Sequence, residues 1–371
     1  MASGRASKRP NGKWRARWRE YPGGPEKAKD FDRKVDAEAF LATAIADIQR
    51  GTYVDPSAGK ITFQDWAEQW RVIQVWRDST ARQVESHLRR HIYPVIGNRQ
   101  IASVRRSDIQ SLVKTLEHSL AAATVENVYR HVAAVFRAAV GDQLLAVSPC
   151  QQINLPKINA ANVTPLEVWQ VDAIAEEIDP RYRALIILAS GTGMRQGECF
   201  GLTVDRVDFF GNRITVDRQR NPEAAGESLF GPTKTAASNR IIPMPEVVKF
   251  ALSEHLRQFG SGPEGLIFTT ATGAPMNRNR WSEIWARQVR TIQGFPEWAT
   301  FHDLRHFYAS LLIRHGESIK VVQARLGHAS ASETLDTYSH LWPDSEDQTR
   351  SAIDLVLGSA IADKSRTRGA M

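Results

Sequence analysis

The stretch 301–342, FHDLRHFYASLLIRHGESIKVVQARLGHASASETLDTYSHLW, decides how this chain is read. His302 and Arg305 stand three residues apart, which brings both side chains to one face of a helix. His328 follows a glycine turn in ARLGHAS, and Tyr338 comes next in ETLDTYSHL. His302 and His306 have the i,i+4 spacing of a zinc-binding helix. That helix needs a glutamate where this chain has Asp303, and no third ligand is signalled, so no metal is expected. Taken singly, each residue has an ordinary reading: a satisfied histidine, a paired arginine, a tyrosine at a helix end.

Upstream lies GTGMRQG at 191–197, which looks like a dinucleotide-binding loop. Its last glycine falls one residue late, and it follows the helical run RYRALIILAS where the nucleotide motif needs a strand. No cofactor is expected there. Instead Arg195 starts a short helix, with Glu198 one turn on and able to hold its guanidinium. Between them and the HDLRH stretch, Lys234 sits in FGPTKTAASNRIIP. It is expected at a hairpin tip between strands Ile214–Val216 and Ile241–Pro243.

In order and local context these residues resemble the catalytic domain of the tyrosine recombinase, or phage integrase, family. The family pattern is Arg in a GxRxxE turn, Lys in a β-hairpin, HxxR, then LGH and a nucleophilic Tyr followed shortly by His. This chain supplies Arg195 with Glu198, Lys234, His302 with Arg305, His328, and Tyr338 with His340. The resemblance is strong over 165–342, moderate over 61–147 and weaker over 1–56. It implies a site-specific DNA recombinase that integrates or excises a phage or other mobile element through a Holliday junction. Its partners would be double-stranded core and arm attachment sites, further copies forming a homotetramer on DNA, a host DNA-bending protein and an excisionase. A type IB topoisomerase shares the Tyr, Arg, Lys and His chemistry, and a repressor could keep the fold without catalysis. The complete residue set argues against the repressor, and the two basic blocks in front argue for the integrase.

The chemistry independently asks for these residue types. Cleaving a phosphodiester without metal requires cations on the non-bridging oxygens, a task suited to the forked guanidinium groups of Arg195 and Arg305. A tyrosine with a pKa near ~10 is a weak nucleophile unless cations stabilise phenolate character. Attack by Tyr338 gives a 3′-phosphotyrosine and a 5′-oxygen that Lys234 can protonate. His302 is expected to exchange the Tyr338 proton, and His328 to donate a hydrogen bond to the phosphate. The phosphotyrosine conserves bond energy, so neither ATP nor Mg²⁺ is called for.

The front of the chain carries the positive charge. Residues 1–60 hold 13 Lys/Arg against 8 Asp/Glu and residues 61–150 hold 11 against 8, whereas 151–371 hold 24 against 25. A net charge of +7 with this asymmetry suggests a polyanionic partner. In KWRARWRE, Lys13, Arg15, Arg17 and Arg19 alternate with Trp14, Ala16 and Trp18, the pattern of a half-buried strand with an all-basic exposed face. Four like charges on one face repel without a partner, which favours a DNA-binding ribbon. A second strand is expected around Ala28–Arg33, then a helix from Asp36 to Arg50 closed by Gly51.

Residues 61–147 read as four helices. One follows Ser79 and ends near Pro94, one opens on a Ser107/Gln110 capping box, and the last opens at Thr124. Arg82, Arg89, Arg90, Arg105, Arg106 and Arg130 are candidates to track phosphates. The expected architecture is therefore multidomain and mainly α with small β-sheets. An N-terminal arm-type DNA-binding domain (1–56, small sheet plus helix) precedes a helical, SAM-like core-binding domain (61–147). A Pro/Asn/Gln-rich linker then leads to a mixed α+β catalytic domain (160–371).

Apolar residues make up 42% and charged residues 24%, a globular composition. With a mean hydropathy of −0.36 and no apolar run near 18 residues, no membrane span is expected. The polar, basic first twenty residues lack a signal-peptide core, and Cys150 and Cys199 are the only thiols. Both point to a reducing cytoplasm. After Tyr338, Ile353, Leu355, Leu357 and Ile361 mark a segment that packs either on its own core or on a neighbouring protomer.

Overall fold

The computed structural model describes residues 4–51, 53–55, 58–158, 162–221 and 228–342, with Arg350, Asp354 and Leu357. The chain divides into two compact units, Met1–Ala160 and Ala161–Met371. Most of the segment expected to pack after Tyr338 lies outside the described residues.

The first unit opens with an antiparallel sheet of β1 (Gly4–Lys8), β2 (Trp14–Trp18) and β3 (Lys27–Phe31), in that order. Strand β1 was not anticipated, and β3 begins a residue before the expected Ala28 and ends at Phe31. The alternation in β2 works as read: Ala16 and Trp18 are buried on one face. Helix α1 (Lys34–Arg50) covers that face with Ala37, Leu41 and Ala44, and Phe40 meets Trp18 edge-on at 5.1 Å. Gly51 closes the helix at φ 71°, where a side chain would be strained.

A second, separate apolar core belongs to the helices that follow. Helix α2 (Phe63–Val72) is capped by Thr62, whose hydroxyl accepts from the Asp65 N–H at 3.1 Å. Helix α3 (Asp78–His87) does not stop near Pro94. It runs on as a π-helical segment through Leu88–Gly97 with Pro94 inside, a wider turn that accommodates the missing N–H. Helix α4 (Arg106–Glu117) is closed by Asp108, which accepts the Arg105 N–H at 2.7 Å. Ser107 therefore lies inside the helix rather than capping it, and Gln110 instead holds Asn154 through two 2.9 Å bonds.

Helix α5 (Ala122–Gly141) starts two residues before the expected Thr124 and buries Val125, Val128, Val132 and Val135. Each such side chain contributes roughly 1.5–3 kcal/mol of apolar burial. The start of the expected linker belongs to this core as well, since Cys150, Ile153 and Leu155 pack on it and Arg106 grips the Gln152 carbonyl at 2.6 Å.

In the second unit, α6 (Val168–Glu177) and α7 (Pro180–Thr192) lead to the short α8 (Gln196–Phe200). Helix α7 buries Leu185, Ile186 and Leu188 together, so it crosses the core rather than lying on it. Strands β4 (Val207–Asp208), β5 (Arg213–Val216) and β8 (Arg240–Pro243) form one sheet, and β6 (Arg218–Arg220) pairs with β7 (Phe230–Pro232) as a ribbon. Helices α9 (Glu246–Phe259), α10 (Arg278–Val289), α11 (Asp303–Arg314), α12 (Ile319–Leu326) and α13 (Ala331–Tyr338) complete the unit. Trp281 anchors the centre, fully buried and edge-on to Tyr182 and Phe301. Among the described residues, no helix is long and apolar enough to cross a membrane.

Candidate active site

Two glycine turns set the site. Gly193 ends α7 at φ 64° and Gly327 ends α12 at φ 67°. A Cβ on Gly193 would strike the Tyr308 ring at 2.4 Å, so both the backbone hand and the close approach need glycine. Arg305 bridges carbonyls of both turns, and Arg195 holds a carbonyl of the second. Arg305, in the first turn of α11 and only 3% exposed, donates to the Gly193 carbonyl at 2.6 Å and the Leu326 carbonyl at 2.8 Å. Arg195 donates to the Gly327 carbonyl at 3.1 Å, to Ser238 Oγ at 3.2 Å and to Glu198 Oε1 at 3.1 Å. The expected Arg195–Glu198 pair is thus present. Burial, with Arg195 adding, draws Arg305 down to about 9, so it remains a cation at neutral pH.

Glu198 is 2% exposed and serves a second cation that sequence reasoning missed. Arg240, on β8, meets both its oxygens at 3.2 and 2.9 Å. It also donates to the Arg325 carbonyl at 2.7 Å, at the end of α12 just before the His328 turn. Burial opposes the Glu198 charge, but Arg240 and then Arg195 hold its carboxyl below the usual range. One arginine therefore ties α8, β8 and α12 together around Glu198. The only signal for it in the sequence was its place six residues after Lys234, too weak to single it out.

Lys234 is not at a hairpin tip. It lies in the connection from β7 to β8, while residues 222–227, between β6 and β7, are outside the described residues. The connection is braced from inside, with Thr233 Oγ1 donating to Asn239 Oδ1 at 2.7 Å and Ser238 reaching Arg195. The Lys234 side chain is left exposed.

The histidines are arranged differently from expectation. His302 precedes α11 at the wall of a cavity of about 860 Å³ that Gln196, Trp285, Arg290 and Trp298 also line. It is exposed there, yet surrounding protein and then His306 and Arg305 lower its pKa. Tyr338 is paired with His306, whose Nδ1 lies 2.8 Å from the phenol oxygen. His302 stands behind, its ring perpendicular to His306 at 4.9 Å. The contact with the Tyr338 oxygen that was expected of His302 is made by His306, four residues on.

His328 is 7% exposed, with Nδ1 at 2.9 Å from Thr334 Oγ1 and its ring parallel to Tyr338 at 6.4 Å. Burial, then Arg305, lowers it to about 4, so it is neutral at pH 7. Tyr338, the last residue of α13, is 1% exposed, and burial pushes it up to about 12 against the pull of Arg305. His340 does not join the group, since its Nε2 lies 2.9 Å from the Val163 carbonyl. No cluster of three or more metal-ligating side chains occurs among the described residues.

The basic strand also departs from its reading. Its face is not unpartnered, because Asp30 on β3 and Glu26 and Asp32 at its two ends lie against it. Arg15 is held by Asp30 at 2.6 and 2.8 Å, Arg17 by Glu26 at 3.6 Å and Lys13 by Asp32 at 3.4 Å, while Arg19 turns to the Gly24 carbonyl. The repulsion that favoured DNA is relieved within the sheet. Among the helical candidates, Arg89 pairs with Glu85, Arg130 with Glu126 and Arg106 with the Gln152 carbonyl. Arg82, Arg90 and Arg105 are exposed.

Residues 163–344 match the phage integrase family and residues 63–155 match the phage integrase central domain. The integrase of Mycobacterium phage L5 is 28% identical over 313 residues, 81% of this chain and 83% of that protein. Among solved structures, the Tn1549 transposon integrase in complex with transposon right end DNA superposes with a TM-score of 0.70. It is 24% identical and covers 80% of this chain and 100% of that one. A lambda integrase tetramer bound to a Holliday junction gives 0.60 at 18% identity, covering 88% of this chain and 96% of that one. The chain is a tyrosine-type site-specific DNA recombinase. It belongs to the phage integrase family.

Proposed function

We propose that the second unit cleaves and rejoins DNA strands through a 3′-phosphotyrosine on Tyr338. Arg195 and Arg305 would clamp the non-bridging oxygens of the scissile phosphate, and His328 would add a hydrogen bond. The observation that carries this reading is the pair of guanidinium groups held by carbonyls of the two glycine turns, with Arg305 next in the chain to the His306 that meets Tyr338. Their positions are set before substrate arrives, so little reorganisation is needed as charge develops. Lys234, on its braced connection, would protonate the departing 5′-oxygen.

In this reading the protein acts as a tetramer on paired core sites, in the cytoplasm of a bacterial host, with a host DNA-bending protein and an excisionase setting direction. Residues 61–147 would grip the core site, and 1–56 would reach a separate arm site. Both rivals, a DNA-relaxing enzyme and a repressor, lack support among the relatives, which are integrases and recombinases.

Sulfur substitution at the bridging 5′ position tests the assignment of Lys234. A thiolate leaves without a proton, so Lys234→Ala should impair cleavage of ordinary DNA far more than of the sulfur-bridged substrate. Equal impairment on both would remove Lys234 from the acid role.

A further inference from the structure

Resting on the reading of Tyr338 as nucleophile, we propose that His306 is the catalytic base that holds the Tyr338 hydroxyl and takes its proton during attack.

The geometry is direct. His306 Nδ1 is 2.8 Å from the Tyr338 oxygen, and the rings meet at 5.5 Å and 64°. Tyr338 is buried among Ala309, Ile313, Val322 and Leu326, which offer the phenol no polar partner. A buried hydroxyl left without a partner is unfavourable, and His306 supplies one. The base role requires one tautomer. For Nδ1 to accept from the phenol, the imidazole proton must sit on Nε2. Burial, opposed by Asp303 and aided by Arg305 one residue away, lowers the His306 pKa, which favours the neutral ring whose Nδ1 can accept.

The step balances without a co-reactant. As the Tyr338 oxygen bonds to phosphorus, its proton passes to His306 Nδ1. The bond from phosphorus to the 5′-oxygen breaks, its electron pair leaves with that oxygen, and Lys234 supplies the proton. Religation reverses each transfer, with His306 returning its proton to the departing phenol. A raised phenol pKa makes this acceptor necessary, because few phenolates exist at neutral pH without one.

His306→Asn is the discriminating variant. Its amide can occupy the place of Nδ1 and hold the hydroxyl, but it cannot carry the proton. On suicide DNA, His306→Asn and His306→Ala should both form the covalent adduct about 100-fold or more slowly. Specific DNA binding should be unchanged, and raising the pH toward 9 should partly restore His306→Asn. Adduct formation by His306→Asn at the wild-type rate, with an unchanged pH profile, would overturn the base role even if His306→Ala were slow or misfolded. Tyr338→Phe is run alongside. A surviving adduct there would sink the reading of the nucleophile itself, whereas its loss beside a fully active His306→Asn would sink only the present inference.

Discussion

Arginine does opposite things at the two ends of this chain. In the N-terminal sheet, Arg15, Arg17 and Lys13 each find a carboxylate across the strand boundary, close to one for one, on a solvent-exposed face. In the catalytic unit, Arg195 and Arg240 share the single carboxylate of Glu198, and Arg305 is held by carbonyls alone. The first arrangement neutralises its charge and can exchange partners with water or phosphate at little cost. The second leaves local positive charge in excess, inside protein, at a fixed place. An anion is what such a cluster lacks. Where a basic residue sits therefore says less about its role than whether the fold has already neutralised it.

The comparison breaks most easily at Glu198. Glu198→Ala leaves the buried Arg240 and the half-buried Arg195 without their carboxylate and should cost about 3–5 kcal/mol of stability, read by urea unfolding. If it unfolds like the wild type, the carboxylate is not the keystone of the cluster. Next in size is Arg305→Lys, which keeps the charge but loses the fork that spans two carbonyls. It should lower cleavage by about 100-fold with DNA binding retained, and near-normal cleavage would show that charge alone suffices. Arg240→Leu should have a smaller effect, on the order of 10-fold in cleavage rate, because it loosens Arg195 without touching the phosphate.

Acidification sharpens the contrast. His328 and His131 are held near 4 by burial, against about 6.5 in an unfolded chain. Between those values the unfolded chain binds protons that the folded one does not. Stability should therefore fall as pH drops from 7 to 5, and the thermal midpoint should move down. Asp30, held well below the ordinary carboxylate range by Arg15, keeps the sheet pairs intact over that interval. His328→Gln should reduce the pH sensitivity, and an unchanged slope would mean that other groups carry it. The smallest effect is expected at the sheet itself. Arg15→Ala with Arg17→Ala should barely move the thermal midpoint and leave core-site cleavage intact, while removing protection of any distal arm site. Unchanged footprints would make this face an ion-paired surface and nothing more.

What the sequence made legible follows from the range of the interactions. Arg195 with Glu198 is a local pair, so its spacing was readable, whereas Arg305 and His302 were singled out by their order and context within the family pattern. The α1 stop at Gly51 and the buried face of Trp18 are likewise local. Arg240 was invisible because its partners, Glu198 and the Arg325 carbonyl, lie 42 and 85 residues away. The His306 contact to Tyr338 spans 32 residues, and HDLRH offers two histidines one turn apart with nothing local to say which one faces the phenol. The acids of β3 were in plain view, but their register against β2 came only with the paired strands, which set Asp30 opposite Arg15. Lys234 was displaced from the expected tip because one hairpin was read where two strand pairs, β5–β8 and β6–β7, are nested.

Mapping the covalent adduct tests the central claim most directly. Full-length protein is trapped on a nicked suicide core site and digested, and the peptide carrying the 3′-phosphate is identified by mass spectrometry. The account requires the phosphate on Tyr338, in the peptide that follows LGHASASETLDT, and none in Tyr338→Phe, which should still bind the site. A DNA-linked peptide from any other residue, or an SDS-resistant adduct formed by Tyr338→Phe, would contradict it.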